Sequence, residues 1–159
     1  MYEKINHEGV EYKQDKITYK RSGGKTTGHC VRNQQKKPGK PMTTRELTLE
    51  SNDLTLDMLS AFYYMRSIKY EHMSPGKSLK LTVFSGKRKE TLTITYHGTA
   101  NINVDNKAYS TFHITFKFTG DGGKKTSDDM DAWISTDNAR IPIKLEGNLP
   151  VGKVQCYLM

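Results

Sequence analysis

STFHITFKF, residues 110–118, alternates polar and apolar side chains from Thr111 to its end. One side of the predicted strand is apolar and consists of Phe112, Ile114, Phe116 and Phe118. The other side carries Thr111, His113, Thr115 and Lys117. Because a parallel sheet buries both of its faces, a strand with one apolar and one polar side indicates an antiparallel sheet with one solvated face.

The same alternation continues on both sides of this strand. SLKLTVF (residues 78–84) and TLTITY (residues 91–96) precede it, and VDNKAY (residues 104–109) is a turn signal. Residues 133–147 have the pattern of a hairpin, and residues 151–159 that of a final strand. Many short strands joined by turns predict a curved antiparallel meander that forms a barrel or half-barrel.

The periodicity changes at about residues 55–70, which predict the one helix of the chain. The residues spaced as one helical face are Met58, Leu59, Phe62, Tyr63, Met65 and Arg66. Thr55 or Asn52 is the predicted N-cap, and Asp57 is predicted to lie in the first turn. One helix packed on the sheet, or plugging its concave side, makes the predicted fold mainly β, of the α+β class.

The N-terminal third has a weaker pattern. Residues 9–21 predict two short, exposed strands, because their apolar residues are separated by charges. Residues 22–43 are rich in Gly, Pro and Lys and predict a mobile basic loop with one short strand around Cys30. TRELTLES, residues 44–51, predicts a further strand.

Positive charge is concentrated in this part of the chain. The net charge is +8, and residues 16–40 contain eight basic residues and no acidic one. Such a segment indicates either a solvated loop or a surface for an anionic partner. The candidate anion-binding residues are Lys20, Arg21, Lys25 and Arg140. Single-stranded nucleic acid also requires aromatic platforms, and the segment has only Tyr19, so a nucleic-acid partner is not favoured.

No motif predicts a catalytic residue, a metal ion or a cofactor. SGGKTTGH, residues 22–29, lacks the first glycine of a phosphate loop, because Tyr19 occupies that position. SDDMD, residues 127–131, lacks the glycine and the ligand spacing of a calcium loop. The histidines are scattered along the chain, and two cysteines are too few for a four-thiolate zinc site. The sequence therefore favours a protein that is not an enzyme.

The predicted C-terminal hairpin raises the question of a site. Trp133 suits a half-buried anchor, Asp137 favours a turn, and Pro142 requires an edge or a bulge. Arg140 either pairs with Asp137 or binds an anion. The candidate ligand-binding residues are Phe62, Ile114, Phe116, Phe118 and Trp133. An apolar core and a ligand cavity require the same residue types, so the pattern leaves both interpretations open.

Neither an apolar run of about 18 residues nor a leader-like start occurs in the chain. This fits a cytosolic protein, a mature exported one or a truncated chain. Cys30 and Cys156 are predicted to be free thiols rather than a disulfide.

Several stretches together carry a family resemblance: DMLSAFYYMRS (residues 57–67), MSPGKSLKLTVFSGK (73–87), YHGTANI (96–102), DAWISTDNARIPIKLEG (131–147) and LPVGKVQCYL (149–158). In this order they resemble a family of uncharacterised exported bacterial proteins, known only as a domain of unknown function. The resemblance covers about residues 44–159.

The resemblance implies a periplasmic or envelope-associated protein of Gram-negative bacteria, similar to those of Bacteroidetes. It implies a barrel or half-barrel similar to the YmcC-like folds and, more distantly, to lipoprotein carriers, which hold acyl chains in an apolar concavity. It implies no catalytic residue. The length of the chain fits a single domain, residues 1–159, and the resemblance implies that this domain lacks the N-terminal strands of the family domain.

Three functions follow in order of preference. The first is a non-enzymatic exported β domain that binds a lipid, an anionic glycan or an envelope protein. The second is a basic nucleic-acid-binding protein, and the third is a hydrolase with an unrecognised site. Neither the pattern nor the resemblance predicts an oligomeric state.

Overall fold

A computed structural model describes residues 2–5, 12–37, 39–123, 127–149 and 152–157 of the chain. Within these ranges the chain forms eleven strands, one α-helix and two short 3₁₀ turns. The predicted class, mainly β with one helix, is confirmed. None of the helices in the described part of the chain combines the length and the apolar character needed to span a bilayer.

The strands form two sheets. The first has four strands in the order β1-β2-β3-β4: β1 (Tyr2–Ile5), β2 (Tyr12–Ser22), β3 (Lys25–Gln35) and β4 (Thr43–Ser51). The second begins with β5 (Thr55–Asp57), β6 (Ser78–Ser85), β7 (Arg88–Val104) and β8 (Lys107–Gly120). It continues with β9 (Met130–Ser135), β10 (Pro142–Leu149) and β11 (Gly152–Tyr157), and its order is β11-β10-β9-β8-β7-β6-β5.

In both sheets, strands that lie side by side are consecutive in sequence. The pairs β8–β9, β9–β10 and β10–β11 are antiparallel, whereas β5 pairs with β6 in parallel. The predicted antiparallel meander is therefore confirmed. The prediction allowed a barrel or a half-barrel, and among the described residues neither sheet closes on itself, so the closed barrel is not formed.

The chain divides into two compact units. The first consists of residues 1–57 and 82–90, and the second of residues 58–81 and 91–159. Strands β6 and β7 each contribute residues to both units. The single domain that lacks N-terminal strands stays a prediction.

In the first unit, the segment predicted to be a loop contains the eleven-residue strand β3. Its inward positions are Thr26, Gly28 and Cys30, which are small or polar and give no apolar alternation. Gly28 is required there, because a Cβ atom would lie 2.7 Å from the ring of Phe84. The two strands predicted within residues 9–21 are also wrong, since β2 runs without a break from Tyr12; residues 9–11 lie outside the described ranges.

A buried ion pair joins β2 to β3. The Arg32 guanidinium donates two hydrogen bonds of 2.5 Å to the Asp15 carboxylate, and their side chains are 12% and 3% exposed. A Cβ atom on Gly86 would lie 2.7 Å from the same carboxylate. Burial and then the Asp15 charge raise the pKa of the Cys30 thiol. Cys30 and Cys156 are both free, as predicted.

The helix α1 (Met58–Ser67) begins three residues later than predicted. Thr55 and Asp57 belong to β5, which pairs with β6, and the Thr55 hydroxyl donates to the Asp53 carbonyl. The predicted cap is therefore wrong, and the first turn of α1 contains no acidic residue. A 3₁₀ turn at Tyr70–His72 follows α1.

The predicted buried face of α1 is correct only at Met65. The helix buries Ala61 and Met65, while Leu59, Phe62 and Tyr63 are exposed. A small residue at the contact allows a helix to lie close to a sheet, because its side chain occupies little of the space between the two backbones. Of the large side chains that hydropathy periodicity selected, Met65 is buried, whereas Leu59, Phe62 and Tyr63 lie on the exposed face.

The core of the second unit contains the predicted apolar face of β8. Phe112, Ile114 and Phe116 are buried, and Phe118 is partly exposed. Tyr70 is fully buried, and its ring lies 5.4 Å from that of Phe112. The Tyr70 hydroxyl donates to the Met65 carbonyl at 2.7 Å, so this polar group has a partner inside the core.

The β9–β10 hairpin is held together by its own turn residues. Asp137 accepts hydrogen bonds from the Ser135 hydroxyl and the Ala139 amide, and the pairing of β10 with β9 is irregular after Pro142. Arg140 pairs with Glu71 at 2.8 Å, rather than with Asp137, and lies over the Phe112 ring. These contacts give the hairpin a structural explanation.

Candidate functional site

The five predicted ligand-binding residues do not form one site. Ile114 and Phe116 are 0% and 3% exposed and belong to the core. The rings of Phe62, Phe116 and Phe118 make consecutive edge-to-face contacts. Trp133 lies opposite His113 in the sheet and therefore on the other face.

Three of the four predicted anion-binding residues have partners within the protein. The Arg21 guanidinium donates to the Thr55 carbonyl at 2.6 Å, and Lys25 pairs with Glu50 at 2.8 Å. Arg140 pairs with Glu71, as described above. Lys20 is exposed on β2. Lys20, Arg21 and Lys25 belong to the first unit, whereas Arg140 belongs to the second.

The exposed side of α1 is a first candidate site. Leu59, Phe62 and Tyr63, here called the helix patch, are 67%, 37% and 62% exposed. Through Phe62 the helix patch contacts Phe116, which in turn contacts Phe118. Large apolar side chains grouped on a surface are typical of an interaction site, because burying them is favourable.

The polar face of the second sheet is a second candidate site. One residue from each of strands β7 to β11 forms what we call the aromatic row: His97, His113, Trp133, Lys144 and Tyr157. In register, His113 lies opposite Trp133, Trp133 opposite Lys144, and Lys144 opposite Tyr157.

Neighbouring side chains of the aromatic row contact each other. The rings of His97 and His113 are 5.0 Å apart, and His113 stacks on Trp133 with ring centroids 4.7 Å apart and planes 5° apart. The Lys144 ammonium lies 4.7 Å from the Trp133 ring and 5.6 Å from the Tyr157 ring. Trp133 is thus held between an imidazole and an ammonium group.

A polar row lies beside the aromatic row and consists of Thr115, Asp131, Glu146 and Gln155, which are paired in register across β8 to β11. His97 hydrogen bonds Thr115 at 2.8 Å, and His113 hydrogen bonds Asp131 at 2.7 Å. Gln155 donates to Glu146 at 2.7 Å. The two rows form one continuous network of hydrogen bonds and ring contacts.

Glu146 accepts hydrogen bonds from Lys144, Lys153 and Gln155. Hydrogen bonds from Lys144 first and Lys153 second lower the pKa of Glu146 from 4.5 to about 2. The hydrogen bond to Glu146 in turn raises the pKa of Lys144. Because the folded-state pKa of Glu146 is lowered, its ion pairs stabilise the fold above pH 4.5, and this contribution is lost as the pH falls toward about 2.

We expect an NMR titration of the Glu146 carboxyl carbon to show a midpoint at about pH 2. Lys144→Met should raise this midpoint more than the control Lys153→Met, because the bond from Lys144 is the larger cause. A wild-type midpoint near the ordinary value of 4.5 would contradict the ion-pair arrangement.

One residue of each candidate site, Phe62 and Trp133, was predicted from the sequence, but neither site was assembled from it. The alternation of residues 110–118 does place His113 on the polar side, but its partners Trp133, Lys144 and Tyr157 follow only from strand register. No group of three or more His, Cys, Asp or Glu residues suited to a metal ion occurs in the described part of the chain.

Over the ranges that the structure describes, the open sheets and the one α-helix define a mainly β protein of the α+β class. The family described as a protein of unknown function (DUF3108) matches residues 1–159, and the chain belongs to this family. No curated protein and no solved structure matched the chain.

Proposed function

We propose that the protein is an exported, non-enzymatic domain that binds the acyl chain of a lipid on the helix patch. The proposal rests on the exposure of the side chains of α1. The large apolar side chains Leu59, Phe62 and Tyr63 are exposed, whereas the small Ala61 is buried. The resemblance to exported proteins and, more distantly, to lipoprotein carriers supports the export and the class of ligand.

An acyl chain suits the helix patch better than the alternatives do. It brings no polar group that would lose its hydrogen bonds on burial, and fully burying an exposed side chain such as Leu59 is worth up to about 1.5–3 kcal/mol. An anionic glycan or a nucleic acid would require cations, but Arg21, Lys25 and Arg140 already have partners within the chain, and none of the four predicted anion-binding residues belongs to the helix patch. An envelope protein that covers the helix patch is a further outcome for the test.

The test is a titration with dansyl-labelled undecanoic acid, followed by the emission of the dansyl group. We expect saturable binding by the wild type and at least about tenfold weaker binding by the double variant Leu59→Ser/Phe62→Ser, since 1.4 kcal/mol corresponds to tenfold. The matched control is Leu47→Ser, which removes an exposed leucine on β4 in the first unit. Equal affinity of the double variant and the wild type would reject the helix patch.

Native mass spectrometry tests the same proposal in the cell. The protein, expressed from its own gene and recovered from the periplasm by osmotic shock, should carry an adduct of lipid mass that the double variant lacks. Recovery only from the cytosol would reject export. An unmodified mass together with a specifically cross-linked envelope protein would replace the lipid by a protein partner.

A further inference from the structure

We propose that the polar face of the second sheet is a second binding site, which takes an extended, neutral oligosaccharide across strands β7 to β11. The site consists of the aromatic row and the polar row. It lies on the opposite side of the sheet from Ile114 and Phe116, so it is independent of the proposed lipid site.

The dimensions of the aromatic row favour a chain-like ligand. It crosses five neighbouring strands, and a strand spacing of about 4.8 Å gives it a length of about 19 Å. A single sugar ring or a small ion would contact only part of such a row. An oligosaccharide that lies across the strands would meet one side chain of each row at almost every strand.

The charges on this face favour a neutral ligand. The positive charges of Lys117, Lys144 and Lys153 are balanced by the negative charges of Asp129, Asp131 and Glu146, and Glu146 accepts hydrogen bonds from both Lys144 and Lys153. An anion would compete with Glu146 for both lysines, and a cation would compete with the lysines for Glu146. Sugar hydroxyls both donate and accept hydrogen bonds, so they suit a surface on which carboxylate, amide and ammonium groups alternate.

The aromatic groups are already held in place before a ligand binds. The Trp133 ring lies between two neighbouring side chains: the His113 ring on β8 stacks on it, and the Lys144 ammonium on β10 lies over it. Tyr157 is 45% exposed at the end of the row, and the Lys144 ammonium lies over its ring, so the proposal assigns the exposed part of this ring to stacking against the apolar face of a sugar. Side chains that are fixed in advance lose little conformational entropy on binding.

The single tryptophan of the chain makes the proposal directly testable. Emission from Trp133 is recorded while the protein is titrated with cellohexaose, maltohexaose or chitohexaose, which are neutral and differ in linkage or substituent. We expect a saturable change in emission with at least one of them. Tyr157→Ala should weaken that binding at least tenfold, and Gln155→Ala should weaken it by a smaller factor.

The matched control is Tyr109→Ala, because Tyr109 also contacts a lysine, Lys107, but lies outside both rows. Tyr109→Ala and the helix patch double variant should bind the oligosaccharide as the wild type does. The proposal is overturned if none of the three oligosaccharides changes the emission, or if Tyr157→Ala binds as tightly as the wild type. Stronger binding of polyphosphate, lost in high salt, would also overturn it in favour of an anionic ligand.

Discussion

Replacing Arg32 by methionine is expected to lower the free energy of unfolding by about 3–5 kcal/mol, the cost of breaking a buried ion pair by removing one partner. The variant leaves the Asp15 carboxylate, 3% exposed, without the guanidinium that donates two hydrogen bonds to it. The pair has good geometry, so its two charges stabilise each other where water is largely excluded. Urea denaturation followed by circular dichroism measures the loss.

Two further variants distinguish the cost of an unpaired buried charge from the cost of losing an ion pair. In Asp15→Leu/Arg32→Met both charges are absent, and most of the lost stability should return, because an apolar pair leaves no buried charge. Glu50→Ala breaks the exposed Lys25–Glu50 pair and should cost at most about 1 kcal/mol. If Arg32→Met proves no more destabilising than Glu50→Ala, the ion pair is not a major stabilising contact.

Tyr70→Ala is expected to destabilise the protein by a similar amount, about 3–5 kcal/mol, because it leaves a cavity the size of an aromatic ring. Tyr70 is fully buried between Tyr96 and Phe112, with ring centroids 5.5 and 5.4 Å away. Tyr70→Phe keeps the ring and removes only the hydrogen bond to the Met65 carbonyl, so it should cost about 1 kcal/mol.

The stabilities of these variants are compared by thermal and urea denaturation, with Tyr63→Ala as the matched control. Tyr63 is exposed on α1, and its loss should change the stability by no more than about 0.5 kcal/mol. A Tyr70→Ala variant as stable as Tyr63→Ala would show that the aromatic cluster contributes little.

The strands of the second sheet could be predicted from the sequence because their apolar residues are large and strictly alternate. In β8 the predicted apolar side chains Phe112, Ile114 and Phe116 are the buried ones. The turn at Asp105 and Asn106 was also predictable, since both have positive φ values, of 49° and 62°, which Asp and Asn tolerate better than most residues.

The errors arose where tertiary contacts override local pattern. Strand β3 buries Thr26 and Gly28, residue types that a hydropathy pattern does not mark as inward. Residues 55–57 form a strand that pairs with β6, which is distant in sequence. These residues therefore do not belong to the helix that the periodicity predicted. The buried face of α1 contains Ala61, whose small size matters more at the contact than its modest hydropathy.

The candidate sites were harder to predict than the fold, for a geometrical reason. Each residue of the aromatic row lies on a different strand, so its neighbours are fixed by the register between strands. The alternation within one strand assigns His113 to a face, but it cannot specify that Trp133 rather than Asp131 lies opposite. Prediction from one sequence therefore assigns the side chains of a strand to its two faces, but it does not identify a site whose residues lie on several strands.

The way in which the chain alternates between its two units has a consequence for protein synthesis. The first unit needs residues 82–90, which are made only after α1 and part of β6. At a translation rate of about 5–20 residues per second, residues 1–57 must wait on the ribosome for this last segment for a time on the order of seconds. During that interval the nascent chain has an incomplete first unit that chaperones are able to bind.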